Sequence, residues 1–324
     1  MKKLLFISSY DSSFVKSDIE ILGKYFRLSV PNLLQSRRNV GDYLRLVFVI
    51  FWGVFSSDLV FCWFADFSAY LAVMAANLFR KKVYVVVGGY EVAALPGYGG
   101  LNRSDRRARL KYILTKATRV IAISDFSLNE IEALKYNVKT EMIAIGIEPA
   151  KESFPKADLI VTSGSATQEL FRVKGLDVFA RATAGFPGFR KVLIGEYDHE
   201  TKKQLLAVNP ALEFFGKLPH HEFLEELKKA RVYCQFSQRE SFGLAVLEAM
   251  NYGCIPVVAR VGAMPEIVGE VGFICTYGDA KEAEKAIASA LQSIDEMAVR
   301  KRAAVSFSRQ EREEKLIRLI GRDE

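Results

Sequence analysis

Two glutamates eight positions apart, Glu240 and Glu248, stand in the segment FSQRESFGLAVLEAMNYG and carry the clearest chemistry of this chain. From Phe242 to Tyr252 the segment is apolar except for Glu248 and Asn251, and a helix apolar nearly all round must be largely buried. A carboxylate inside such a helix is costly unless a donor reaches it, so a hydroxyl or a cation is expected beside Glu248. Glu240 precedes the helix, in the polar turn Gln238-Arg239-Glu240-Ser241, where it is free to project into a site. Ser241-Phe242-Gly243-Leu244 forms the helix start. Backbone N–H groups and the positive end of the dipole favour an anion there, Gly243 permits close approach, and a diphosphate suits the position. The competing reading pairs Glu248 with a structural Arg and leaves Glu240 as a surface acid.

Positioning these residues requires strands that end in loops. At 324 residues the chain exceeds the roughly 250–300 at which a single core stops growing, which predicts two domains. Apolar runs of strand length alternate with segments of helical period: LLFIS, a helix near Asp18–Phe26, LVFCWF, a helix, KVYVVVGG, a helix from about Ser104, RVIAIS and a helix near Leu128–Tyr136. The second half repeats the plan with ADLIVTSG, KVLIGE, LEFFG, VYCQFS, IPVVA and GFIC, separated by helices at 175–184, 200–207, 220–230 and 242–252 and a short one after Pro265, and followed by one at 280–291. Such alternation predicts two α/β domains, each a Rossmann-like doubly wound parallel sheet. The boundary falls at GIEPAKESFPK, giving residues 1–149 and 150–305. In open α/β sheets ligands lie beyond the carboxyl ends of the strands, so the strand-to-helix loops of both domains are expected to line a cleft.

The run ESFGLAVLEAMNYGCIPVVA, its continuation GAMPEIVGEVGFIC and the preceding LEFFGKLPHHEFLEELKKARVYC resemble the donor-site region of retaining glycosyltransferases of family four, with their Glu-x7-Glu motif. The resemblance is strong over 156–292 and weaker over 1–149. It implies the GT-B fold and a nucleotide diphosphate-sugar donor. Glu248 would hold the ribose hydroxyls, Phe242–Leu244 the phosphates, and Glu240 the transferred sugar. Gly216-Lys217-Leu218 resembles the loop that contacts the base, with Leu218 packing on it; a plain strand-end turn is the competing reading. The terminal segment Gln310–Gly321 is expected to be helical, and by resemblance a segment of about 306–324 crosses back onto the first domain.

Relatives place an Arg after the glycine that ends the first strand of the second domain; here the strand runs into Ser163-Gly164-Ser165 and the Arg is missing. Lys174 of Arg172-Val173-Lys174-Gly175 matches the family lysine, and Arg172 could supply the bidentate phosphate contact that Ser165 lacks. The competing reading leaves both as solvated helix-start residues. Preorganised cations and N–H groups stabilise a departing diphosphate, so neither a metal nor another cofactor is expected; no D-x-D pair or His/carboxylate ligand spacing occurs. On the acceptor side the family uses loops that here read Ser8-Ser9-Tyr10-Asp11 and Gly88-Gly89-Tyr90-Glu91. The relatives' glycine pair in the first loop and histidine in the second are both absent. His199, His220 and His221 all lie in the second half. Ser9, Tyr10, Gly88, Gly89, Tyr90 and Glu91 are therefore the acceptor-side candidates, with a structural role as the alternative for Tyr90 and Glu91.

The net charge of +7 is concentrated in one half: residues 1–149 hold 20 Lys+Arg against 13 Asp+Glu, and residues 150–324 hold 25 against 25. A basic half suggests an anionic partner. Arg103, Arg106, Arg107, Arg109 and Lys111 cluster at a helix start, either as a solvated face or as a surface for anionic membrane lipid. Aromatic residues are not interleaved with them as base stacking would need, so no nucleic acid is expected. Cys62, Cys234, Cys254 and Cys275 are scattered and suit neither zinc nor disulfides. MKKLLFISSY has too short an apolar run for a signal peptide, which leads us to expect a cytoplasmic protein, peripheral on the inner face of the membrane if the basic surface binds lipid. Leu44–Phe79 is apolar but interrupted by Ser56-Ser57-Asp58 and Asp66, so a buried or interfacial helix, a strand at Leu59–Phe64 and a second helix are expected. The function expected is retaining transfer of a sugar to a glycan or lipid-linked acceptor. The alternatives are a GT-B nucleotide-sugar epimerase, disfavoured by a histidine-free first half, and a non-catalytic anion-binding or nucleic-acid-binding protein using the basic half.

Overall fold

A computed structural model of the chain describes residues 1–33, 39–292 and 295–323. The first half threads β1 (Lys3–Ser8), α1 (Ser13–Gly23), β2 (Arg27–Ser29), α2 (Val40–Phe55), β3 (Leu59–Trp63), α3 (Phe67–Leu78), β4 (Lys82–Val87), α4 (Ser104–Lys116), β5 (Arg119–Ala122), α5 (Asp125–Ala133) and β6 (Thr140–Met142). The second half continues through β7 (Leu159–Ser163), α6 (Leu176–Thr183), β8 (Arg190–Ile194), α7 (His199–Val208), β9 (Leu212–Gly216), α8 (His220–Lys229), β10 (Val232–Gln235), α9 (Leu244–Asn251), β11 (Ile255–Ala259), α10 (Met264–Val268), β12 (Phe273–Cys275), α11 (Ala280–Gln292), α12 (Glu296–Ser306) and α13 (Arg309–Arg322). Two compact units result: Met1–Ile145 with Gln310–Glu324, and Gly146–Arg309.

Each unit holds one six-stranded sheet, in the orders β2-β1-β3-β4-β5-β6 and β12-β11-β10-β7-β8-β9, and every strand pairing is parallel. These are the two doubly wound α/β sheets that the alternation predicts. Helices cover both faces, so central strands such as Leu59-Val-Phe-Cys-Trp63 bury all five residues. The chain reverses its direction of travel across the sheet between β1 and β3 in the first unit and between β7 and β10 in the second. At such switch points the loops leaving adjacent strands diverge and open a crevice.

Several elements depart from the expected bounds. The first helix starts at Ser13, not near Asp18, because Asp18 is a fully buried anchor in its interior. Arg312 grips Asp18 with Nε and Nη2, both at 2.6 Å, while Trp63 Nε1 donates to it at 2.7 Å. Arg312 also donates to the carbonyls of Ile143 and Ala144, which ties α13 into the first unit. The helix expected from 242 begins at Leu244, since Gly243 takes φ +98° and ends the preceding loop. All four cysteines are free and buried, and burial pushes the Cys254 thiol up to about 11.

Candidate functional site

In the second unit the crevice between β7 and β10 gathers most of the residues singled out in the sequence. Three glycines make that possible. Gly175 takes φ +64°, and a Cβ there would collide with the carbonyl of Phe236, just beyond β10. The turn before α6 therefore rests against the exit of β10, fixed by Gln238 N donating to Val173 O at 2.7 Å. Gly164 lets the Lys174 stem lie beside the end of β7, where a Cβ would sit 3.2 Å from Lys174 Cβ. Gly262, at φ +54°, lets its loop close on the backbone of Glu240, whose carbonyl accepts from Ala263 N at 3.0 Å. The outcome is an ion pair, Lys174 Nζ to Glu240 Oε1 at 3.0 Å, with both side chains largely sheltered.

A buried polar chain orients that pair from below. Tyr233, fully buried in β10, places its hydroxyl 2.6 Å from Ser163 Oγ and donates to Gln235 Oε1 at 3.1 Å. Gln235 Nε2 then reaches Ser237 Oγ, and Glu240 Oε1 at 3.2 Å. Burial raises the Tyr233 phenol well above its ordinary value, and the charges of Glu240 and Glu248 add to the effect. Tyr233 thus sits within the field of both glutamates, which favours its neutral form. Networks satisfied in this way hold a carboxylate in one geometry.

Glu248 lies inside α9, 8% exposed, and its Oε1 is 2.7 Å from His220 Nε2 at the first position of α8. The partner expected for a carboxylate in an apolar helix is therefore a histidine, neither a hydroxyl nor an Arg. The α9 start supplies backbone N–H groups beyond Gly243, where a Cβ would run into Met264 Cε. Phe242 is buried, edge-on to Phe307 at 5.8 Å between ring centroids, and Ser241 Oγ accepts from Arg239 at 3.3 Å. Leu218 is half-buried in the loop that delivers His220. Ser165, at the position where the resemblance leads one to expect an Arg, donates to Glu196 at 3.0 Å. Arg172 is exposed, with its guanidinium over the Phe171 ring at 5.4 Å, so it stays on the surface of the Lys174 turn and does not join the Glu240 network.

The switch point of the first unit opens a cavity of about 620 Å³. Of the acceptor-side candidates, Ser9, Tyr10, Gly88, Tyr90 and Glu91 line it; Gly89 does not, and supplies the φ +111° turn that swings Tyr90 and Glu91 into place. Phe64 contributes with φ +72°, a strained conformation for so large a side chain, and Gly88 accommodates it, since a Cβ there would lie 2.6 Å from the Phe64 ring. Glu91 Oε1 accepts from Ala65 N and Gly88 N at 3.0 and 3.1 Å. Its Oε2 is buried with no hydrogen-bond partner among the described residues, and burial pushes the carboxyl above its usual range. Arg106 and Arg109 of α4 line the cavity, the first donating to Tyr90 Oη at 3.0 Å and the second over the Phe67 ring at 5.6 Å. Arg103 and Arg109 share Asp105, Arg107 holds the Leu101 carbonyl at 2.9 Å, and Lys111 lies 5.4 Å from the Tyr136 ring. The basic run is therefore divided between the cavity and its own neighbours.

Residues 148–305 match the family model for glycosyl transferases group 1. The second unit is therefore similar to the glycosyl transferases group 1 family over nearly all of its length. Among curated relatives, the sulfoquinovosyl transferase of Arabidopsis thaliana is 28% identical over 133 residues, 40% of this chain and 25% of that protein. The N-acetyl-alpha-D-glucosaminyl L-malate synthase of Bacillus anthracis is 36% identical over 76 residues, 23% of this chain and 19% of that protein. The chain thus aligns with a quarter or less of the length of these two relatives. Over the whole chain the fold is similar to Anabaena HepE in complex with UDP and glucose, with TM-score 0.79, 17% identity and coverage of 99% and 100%. It is likewise similar to sucrose-phosphate synthase from Thermosynechococcus elongatus, with TM-score 0.77, 17% identity and 99% of both chains covered. The two Rossmann-like units are those of the GT-B class.

His220, Tyr233, Gln235 and Ser163 were not among the site residues expected from the sequence. A signal for the strand residues was present. Tyr233, Gln235 and Ser237 alternate along a strand that its position requires to be buried, and a period of two puts them on one face. His220 had a weaker signal, a histidine opening the helix after the Leu218 loop. Among the described residues no three His, Cys, Asp or Glu side chains converge as a metal's ligands would, and no helix is long and apolar enough to cross a membrane.

Proposed function

We propose that this protein is a retaining, metal-independent glycosyltransferase of the cytoplasm. In this reading the second unit binds a nucleotide diphosphate-sugar and the cavity of the first unit receives a glycan or lipid-linked acceptor. The observation that carries it is the Lys174–Glu240 pair, braced by Tyr233 and Gln235 beside the start of α9. Glu248, oriented by His220, takes the ribose hydroxyls, and Leu218 packs on the base. The α9 N–H groups and Lys174 neutralise the charge that grows on the departing diphosphate, with Arg172 an outer cation. Glu240 orients the sugar. The bond from C1 to the phosphate oxygen breaks while the acceptor oxygen attacks the same face of C1, and the acceptor proton passes to the departing phosphate. No protein nucleophile takes part. UDP-sugars are the first donors to try, because the similar HepE fold is in complex with UDP and glucose. Arg106 and Arg109 favour an acceptor that carries a phosphate or carboxylate.

The test is transfer to an acceptor followed by proton NMR of the anomeric centre of the glycoside formed. An α-configured donor is expected to give an α product, and Lys174→Ala to lower kcat by about 10²–10³. A β product contradicts retention, and unchanged turnover in the variant contradicts the role of Lys174.

A further inference from the structure

Helix α2 breaks the usual rule for a surface helix, whose outer face is polar. Its inner stripe, Leu46, Ile50 and Val54, is buried in the core of the first unit. Its outer face is apolar as well. Leu44, Phe48 and Trp52 follow one another at intervals of four and are 66%, 68% and 61% exposed, with Tyr43, Val47 and Phe55 exposed on either side. The aromatic rings form one surface: Phe48 to Trp52 at 6.4 Å, Trp52 to Phe55 at 6.0 Å, and Phe55 to Phe79 at 5.4 Å. Phe79 carries the patch to the end of α3, beside the exposed Leu78. Contiguous apolar surface of this kind marks a place where something binds.

The charges around the patch indicate what binds. Arg45 is exposed on the outer face, and Arg80-Lys81-Lys82 follow directly on Leu78 and Phe79. The acids at the ends of the helix are turned to the backbone: Asp42 accepts from Asn39 N and Asp58 from Lys3 N. An apolar stripe with aromatic rings and a cationic rim complements the interface of an anionic bilayer, where apolar side chains sink below the headgroups and Arg and Lys meet lipid phosphates. A second copy of the chain is a poorer occupant, because a two-fold contact through this face would bring the cationic rim against itself. At 16 residues the helix is too short to span and suits a position in the plane of the interface.

We infer that α2 seats the first unit on an anionic membrane surface, as a monotopic anchor. Tyr43 packs edge-on against Phe67 at 6.2 Å, and Phe67 lines the cavity between β1 and β3. The lipid-facing stripe therefore runs to the wall of that cavity. On the function proposed above, the acceptor is an amphiphile drawn from the bilayer with its anionic head toward Arg106 and Arg109.

The chain carries its own reporter, since it has two tryptophans, Trp52 on the patch and Trp63 fully buried. Vesicles of equimolar phosphatidylcholine and phosphatidylglycerol are expected to co-sediment the protein and shift Trp52 emission to the blue, with vesicles of phosphatidylcholine alone much less effective. Phe48→Glu, which keeps Trp52, is expected to lower the vesicle partition coefficient by about tenfold or more. Wild-type protein that stays in the supernatant with unchanged emission overturns the inference without recourse to any variant. So does a Phe48→Glu protein that binds vesicles as wild type does while a dimer becomes a monomer. Nucleotide-induced stabilisation is measured in parallel: vesicle binding without a nucleotide response leaves the anchor standing and removes the transfer reading, and the reverse removes the anchor alone.

Discussion

Glu248 and His220 come from different helices, and the pairing matters because Glu248 has so little access to water. A carboxylate stripped of its donor keeps the cost of burial, so His220→Ala is expected to destabilise the second unit by about 1–3 kcal/mol and to weaken donor binding as well. Urea denaturation and calorimetric titration check the two effects, and a variant unchanged in both contradicts the role given to His220. Glu91 makes a prediction of opposite sign. Burial raises its carboxyl above the ordinary range, so the folded state is favoured below the unfolded value and loses that contribution as pH rises through the raised one. Glu91→Gln keeps an oxygen for the N–H groups of Ala65 and Gly88 and removes the charge. It is expected to melt above wild type at neutral pH, with the difference vanishing in acid; a variant that melts lower at every pH contradicts the assignment. The need for a partner at Glu248 was legible from one carboxylate in an apolar helix, but the partner's identity was not, because His220 is distant in sequence and only the fold brings α8 beside α9.

Elements whose residues are buried on both sides announced themselves, as in Leu59–Trp63, where a parallel strand is apolar throughout. Arg27–Ser29 and Thr140–Met142 did not, being three-residue edge strands with polar side chains, and neither did Glu296–Ser306, whose charged sequence buries only Val299 and Ala303. The start of α9 depends on a backbone angle that Gly243 alone accepts readily. Gly243→Ala is expected to cost about 1 kcal/mol or more through strain and the clash with Met264, and to weaken diphosphate binding more than it weakens the fold. Helix α13 is tied down by an ion pair with both partners buried, Arg312 and Asp18. Removing one partner of such a pair is strongly destabilising, so Arg312→Ala is expected to cost about 3–5 kcal/mol. Replacing both with apolar residues is expected to cost much less. Thermal unfolding of the single and double variants separates a buried pair from a surface one.

Across the whole molecule the chemistry divides by unit. The first is basic, carries the cavity with Glu91, Arg106 and Arg109 and turns the apolar face of α2 outward; the second is neutral and carries Lys174, Glu240 and Glu248. The charge split was visible in composition, whereas the division of the Arg103–Lys111 run between a cavity and local contacts was not, since helical spacing does not reveal which side chains a neighbouring loop will claim. The central claim is that the second unit binds a nucleotide diphosphate-sugar through Glu248. It is tested most directly by thermal unfolding of wild type and Glu248→Ala against UDP-, GDP- and ADP-sugars. At a hundredfold excess over Kd a ligand adds about 2.7 kcal/mol to the folded state, so wild type is expected to show a clear rise in Tm with one base class, UDP first, and Glu248→Ala to show none. The absence of any nucleotide-dependent rise in wild type, or an equal rise in the variant, would contradict the account.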